Sequence, residues 1–160
     1  MLNAPQVNDI IKPFIDSLES QIPGMGGVSV DNLQLKVDKK SAYDLSVQVL
    51  VNGDLRGKVV VSLPVTVAVA MSSQLTSRKV ESFDQEAQDL FLGLITGILR
   101  LIEKTFQAKN KNFMSTQIKV IYGRKIDVTS AHCQIPLAVS FKTAVGNVEM
   151  NLALESGGAL

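Results

Sequence analysis

One long periodic run, Phe83 to Ala108 (F-D-Q-E-A-Q-D-L-F-L-G-L-I-T-G-I-L-R-L-I-E-K-T-F-Q-A), constrains this chain more than any other stretch. Stepped at about 100° per residue, it gathers Ala87, Leu90, Phe91, Leu94, Ile95, Ile98, Leu101 and Ile102 on one broad apolar face. Glu86, Asp89, Gly93, Thr96, Arg100, Glu103 and Gln107 fall on a narrow strip opposite. A helix of this pattern is buried on most sides, with one thin stripe left for water or a partner. Ser82 with Gln85 three residues on reads as a capping box. Asp84 and Glu86 suit the positive end of the helix dipole, Lys104 and Lys109 the negative end. Gly93 lies on the strip and Gly97 at its edge. Each costs roughly 1 kcal/mol against Ala inside a helix, so a surface kept small there invites close approach. The approaching group is either another part of this chain or another protein.

The rest of the chain must cover that apolar face. Residues 6–22 place Val7, Ile10, Ile11, Phe14, Ile15, Leu18 and Ile22 on one side of an amphipathic helix that Pro13 either kinks or starts, and Pro23-Gly24 stops it. From Val28 the period changes to two: Leu33, Leu35 and Val37, then Leu45, Val47, Val49 and Val51. Asn52-Gly53-Asp54 is a hairpin signal, and R-G-K-V-V-V-S-L supplies a third strand. Short turns between these strands require antiparallel pairing. Pro64 opens a second helix, V-T-V-A-V-A-M-S-S-Q-L. Three more strands are expected near 114–122, 132–142 and 147–154, with Gly146-Asn147 as the last turn and a fraying tail over 155–160. The order predicts one α+β domain over 1–160. Its mostly antiparallel six-stranded sheet packs against a long central helix and two further helices.

Composition narrows the function. The net charge is +1 with no basic patch or acidic run, so neither nucleic acid nor a charged membrane surface is expected as a partner. The single cysteine, Cys133, permits no internal disulfide, which fits a reducing, cytoplasmic setting. The N-terminus has no signal-peptide pattern, and the apolar stretch Leu90–Ile102 is too short to span a bilayer. His132 and Cys133, read as neighbours within a strand, would point to opposite faces and could not share a metal. No CxxC, HExxH or GxSxG occurs. Two of Glu86, Asp89 and Glu103 could cooperate in acid–base or metal work, but Arg100 beside them marks an ordinary solvated face. No cofactor and no metal are expected.

The order of elements and several phrases resemble the CheX/CheC family of chemotaxis phosphatases, CheX most of all. The phrases are V-N-D-I-I-K-P-F-I-D-S-L, G-D-L-R-G-K-V-V-V-S-L-P-V-T-V-A, D-Q-E-A-Q-D-L-F-L-G-L-I-T-G and I-P-L-A-V-S-F-K-T-A-V-G-N-V-E-M-N-L. The resemblance implies that the long helix enters the active site of a phosphorylated response regulator. There it would present a glutamate that pairs with a lysine and, three residues on, an asparagine that orients the attacking water. The matching positions here are Gly93 and Thr96, and no Glu-x-x-Asn occurs in the chain. The expectation is therefore a CheX-like domain that binds a CheY-like receiver, or a related partner, without dephosphorylating it. Its partner-binding strip would be Glu86, Asp89, Gly93, Thr96 and Arg100, and the domain would form a homodimer. The alternatives are a weak aspartyl-phosphate phosphatase using Thr96 with Glu86 or Asp89, and a purely structural dimerisation module.

Overall fold

Asn3 caps the first helix: its side chain accepts the Gln6 N–H at 2.9 Å while the Gln6 side chain accepts the Asn3 N–H at 3.0 Å. The helix, α1 (Ala4–Gln21), continues past Pro13 without a break and buries Ile10, Phe14 and Leu18. Then follow strands β1 (Ser29–Leu35), β2 (Leu45–Gly53) and β3 (Leu55–Leu63), helices α2 (Val65–Thr76) and α3 (Gln85–Gln107), and strands β4 (Phe113–Tyr122), β5 (Leu137–Thr143) and β6 (Gly146–Ser156). The computed structural model describes residues 2–156.

The six strands form one antiparallel sheet in the order β1-β5-β6-β3-β2-β4. Alternation along each strand divides its residues between two faces. Val47, Val49, Val59, Val61, Val139, Phe141, Met150 and Leu152 join the core beneath the helices. Phe14 of α1 meets Phe141 with ring centroids 5.0 Å apart, and Phe106 of α3 meets Phe113 at 4.9 Å. The helix α3 packs against α1, α2 and β4, which makes it the centre of the helix layer. The opposite face of the sheet carries Ser46, Ser62, Glu149 and Asn151, all buried. Segments 36–44 and 124–136 cover it. Glu149 accepts from Lys36 Nζ at 2.9 Å and from the Ala42 N–H at 3.0 Å, and Tyr43 N–H donates to Ser62 Oγ. Where β3 crosses beneath this cover, Gly57 has φ +137°, and a Cβ there would stand 2.0 Å from the Ala153 carbonyl oxygen. Only glycine fits.

The α+β architecture is as the sequence predicts, and so are the hairpin at Gly53 and the Pro64 helix start. Several details differ. β1 does not pair with β2; it crosses to the far edge and pairs with β5, through a bulge between Val30 and Asn32. Nor does its alternation produce a buried face: all seven of its residues are exposed, because the helix layer stops short of it. β5 begins at Leu137 rather than 132, the closing turn is Ala144-Val145 rather than Gly146-Asn147, and β6 extends through Glu155 and Ser156 to pair with Arg56 and Leu55. The remainder of the expected tail, 157–160, lies outside the described residues.

Candidate functional site

The central helix starts one turn of logic away from the expected capping box. Asp84, not Ser82, is the N-cap, and its carboxylate accepts the Ala87 N–H at 2.9 Å. Gln85 instead reaches along the helix and donates to Asp89 Oδ1 at 2.9 Å. The buried face is also rotated. Ala87, Phe91, Leu94, Ile95, Ile98, Leu99, Ile102 and Phe106 are buried, Leu90 is half-buried, and Leu101 is 37% exposed. The face therefore centres on Phe91, Ile98 and Ile102, and Leu90 and Leu101 flank it.

Of the strip residues, Glu86, Asp89, Gly93 and Arg100 are exposed, while Thr96 and Glu103 are half-buried. Their charges are largely committed within the chain. Glu86 pairs with Arg78 from the loop ahead of α3. Arg100 Nη1 donates to both Glu103 oxygens, at 3.1 and 3.0 Å. Glu103 is pinned in turn to β4, accepting the Ser115 N–H at 3.0 Å and its hydroxyl at 2.8 Å. Burial is the largest single influence on Glu103 and opposes its charge. The Ser115 donors and Arg100 together outweigh it and hold the carboxyl below its usual range. Among the described residues, Asp89 is the strip carboxylate with no cationic partner; it has only the Gln85 amide.

The two glycines turn out to be small for different reasons. A Cβ on Gly97 would touch Gln21 Oε1 of α1 at 3.4 Å, an ordinary contact, so this glycine faces α1 within the fold. A Cβ on Gly93 would meet nothing within 4 Å. Gly93 is the floor of a groove of about 860 Å3, walled by Leu75 of α2, Gln21 of α1, and Leu90 and Leu94 of α3, with Glu86 and Asp89 at one end. Thr96 lies one turn beyond. Its hydroxyl donates back to the Leu92 carbonyl at 2.8 Å, which spends its only hydrogen. It can still accept, but it cannot offer the paired donor and acceptor of an amide. The strip thus brings together a cleft, one free carboxylate and a committed hydroxyl. That arrangement can receive a partner's side chains, with the Asp89 carboxylate and the Thr96 oxygen as its available acceptors.

His132 and Cys133 are not in a strand. They sit in a tight turn closed by paired backbone hydrogen bonds between Ser130 and Cys133, and both line one cavity instead of facing apart. The reading failed because a turn does not alternate its side chains as a strand does. Among the described residues no three His, Cys, Asp or Glu side chains converge as a metal site requires, and no helix is long and apolar enough to cross a membrane.

The fold and site define a small α+β domain that exposes one face of its central helix along an open groove. Solved structures identify the fold as that of the CheC/CheX chemotaxis proteins. A CheC-like superfamily protein from Shewanella sp. PV-4 matches with a TM-score of 0.84 at 17% identity, covering 97% of this chain and 100% of the other. CheX from Desulfovibrio desulfuricans matches with a TM-score of 0.81 at 16% identity, covering 94% and 99%. The CheX–CheY–BeF3–Mg2+ complex from Borrelia burgdorferi matches with a TM-score of 0.64 at 22% identity, covering 95% and 96%. No family model matches the chain, and no curated protein does.

Proposed function

We propose that this chain is a CheX-like signalling domain that binds a response-regulator receiver, or a closely related partner, along the exposed strip of α3, without hydrolysing its phosphoryl group. The groove over Gly93 carries the reading, because none of the described residues uses the space that this glycine leaves. The Borrelia CheX, solved with CheY, supports the class of partner. Glu86, Asp89, Gly93, Thr96 and Arg100 line the docking face. Arg100 is held in place by Glu103, so it meets the partner with little rotamer entropy left to lose. The phosphatase reading is disfavoured at Thr96, whose only hydrogen is already spent on Leu92.

The domain is also proposed to assemble as a homodimer. The supporting observation is β1, an edge strand that leaves Val30, Leu33 and Leu35 exposed. Light scattering that gives a monomer mass over a broad concentration range would remove this part of the reading.

The docking test measures binding of receiver domains from the same cell, with and without beryllofluoride as the phosphoryl mimic. Binding should strengthen with the mimic and fall about tenfold or more in Gly93→Arg, a loss of about 1.4 kcal/mol. The arginine has open space and replaces a helix-interior glycine, so stability should hold or rise by about 0.5–1 kcal/mol. Unchanged binding by Gly93→Arg would remove α3 from the interface.

A further inference from the structure

The geometry points to a second site, at the β1-β5-β6 margin of the sheet: a pocket for a small aliphatic molecule with a single hydrogen-bonding head, in the class of medium-chain alcohols and carboxylic acids. It goes beyond the receiver-binding reading and does not depend on it.

The pocket arises from the way the sheet runs out from under its helices. Leu35 of β1 stands opposite Leu137 of β5, and Leu137 stands opposite Leu152 of β6, so three leucines form one cross-strand row on the helix-facing side. Elsewhere on that side α1, α2 and α3 cover such rows. Here α1 starts at Ala4, and Leu2 ahead of it is its contribution to the wall. A cavity of about 290 Å3 is left over the row, close to the lower end of the roughly 300–1,000 Å3 usual for ligand pockets. Its floor, Leu152 and Leu154, is fully buried, while Leu35 and Ile135 at the rim are about half exposed.

The chemistry of the lining is divided. The apolar walls are wholly aliphatic, with no aromatic ring, and suit a flexible chain rather than a stacked one. The polar groups come from the turn and the end of β6: His132, Cys133 and Glu155. The Glu155 carboxylate is already engaged within the chain: its Oε1 faces His132 Nδ1 at 2.9 Å and accepts from Arg56 Nη2 at 3.3 Å. The Cys133 thiol donates to the Ile135 carbonyl at 3.3 Å. With the Glu155 carboxylate already engaged by Arg56 and His132, the mouth offers contacts to the single polar head of an amphipathic molecule and disfavours a wholly apolar guest.

The test uses the full chain, isotope-labelled, titrated with octanol, octanoate and octylammonium while amide and methyl resonances are followed. Octanol or octanoate should shift Ile135, Leu137, Leu152 and Leu154 saturably, with Kd on the order of 1 mM or tighter. Either compound should also slow alkylation of Cys133, the chain's only thiol. The difference between the two tells a neutral from an anionic head, and octylammonium should bind worst. Leu137→Trp fills the cavity and should abolish the shifts. Ile135→Trp, on a half-exposed loop residue, should do the same at the rim if the first variant fails to fold. Three results would overturn the proposal: no saturable shift up to the solubility limit, shifts confined to the exposed Val30 and Val37, or binding that survives a folded filling variant.

Discussion

Ile98 and Leu101 stand one turn apart on α3 and belong to the same apolar face by periodicity, yet the structure treats them differently. Ile98 is 1% exposed and packed among Phe14, Val49, Val61 and Met150, where the remaining void is only about 10 Å3. Leu101 is 37% exposed. Truncating Ile98 to Ala removes three carbons, worth about 0.8 kcal/mol each in transfer, or roughly 2.4 kcal/mol. Incomplete collapse adds about 24 cal/mol per Å3 of residual cavity, which carries Ile98→Ala to about 3–4 kcal/mol. Leu101→Ala, with the same three carbons only partly buried, should cost about 1–1.5 kcal/mol. Urea titrations followed by far-UV circular dichroism would read both, with the slope unchanged. For a chain of 160 residues the Ile98 change corresponds to a Tm lower by roughly 6–16 °C. If Leu101→Ala lost as much stability as Ile98→Ala, the rotation assigned to α3 would be wrong.

Glu103 titrates lower in the folded state than in the unfolded one, so its stabilisation is present above its unfolded value of about 4.3 and is lost as pH falls through the lower folded value. Glu103→Gln should therefore flatten the fall in stability between the unfolded value and the lower folded one, measured as Tm against pH; an unchanged acid limb would contradict the pairing with Ser115 and Arg100. On the sheet's other face, Lys36→Met leaves Glu149 buried without its cation and should cost about 3–5 kcal/mol. Adding Glu149→Leu should restore part of this in denaturant titrations, though not all, because Glu149 also accepts from Ala42 and Asn151.

Local chemistry was legible in the sequence wherever one signal decided the outcome. Asn52-Gly53 produced the β2–β3 hairpin, Pro64 started α2, and the long period starting near Phe83 gave the central helix. Signals that depend on distant partners were not legible. The apolar arc of α3 is wider than the surface that covers it, so periodicity admitted Leu90 and Leu101 although only packing against α1, α2 and β4 could rank them. Leu33, Leu35 and Val37 alternate as a half-buried strand would, but burial also needs a covering helix, and none reaches β1. Asp84 and Ser82 are both good cap residues, and tertiary placement chose the former. Within the strip, periodicity put Gly93 and Thr96 on one side of the helix, where the structure has the first exposed and the second half-buried. Periodicity could not tell that Gly97 faces Gln21 of α1 while Gly93 faces open space.

The central claim is docking without catalysis, and loss of labelled phosphoryl group from a receiver that binds this domain tests it most directly. Dephosphorylation of this kind needs a side chain that fixes water for in-line attack, while the receiver holds the metal and most charge-stabilising groups. Gly93 offers no group, and Thr96 offers a β-branched hydroxyl tied to its own helix. The wild-type domain should leave the decay at the rate of the receiver alone. Gly93→Glu with Thr96→Asn should accelerate it, since correct positioning is worth several kcal/mol of barrier. Clear acceleration by the wild type that disappears in Thr96→Ala would contradict the account and make this domain a phosphatase acting through Thr96.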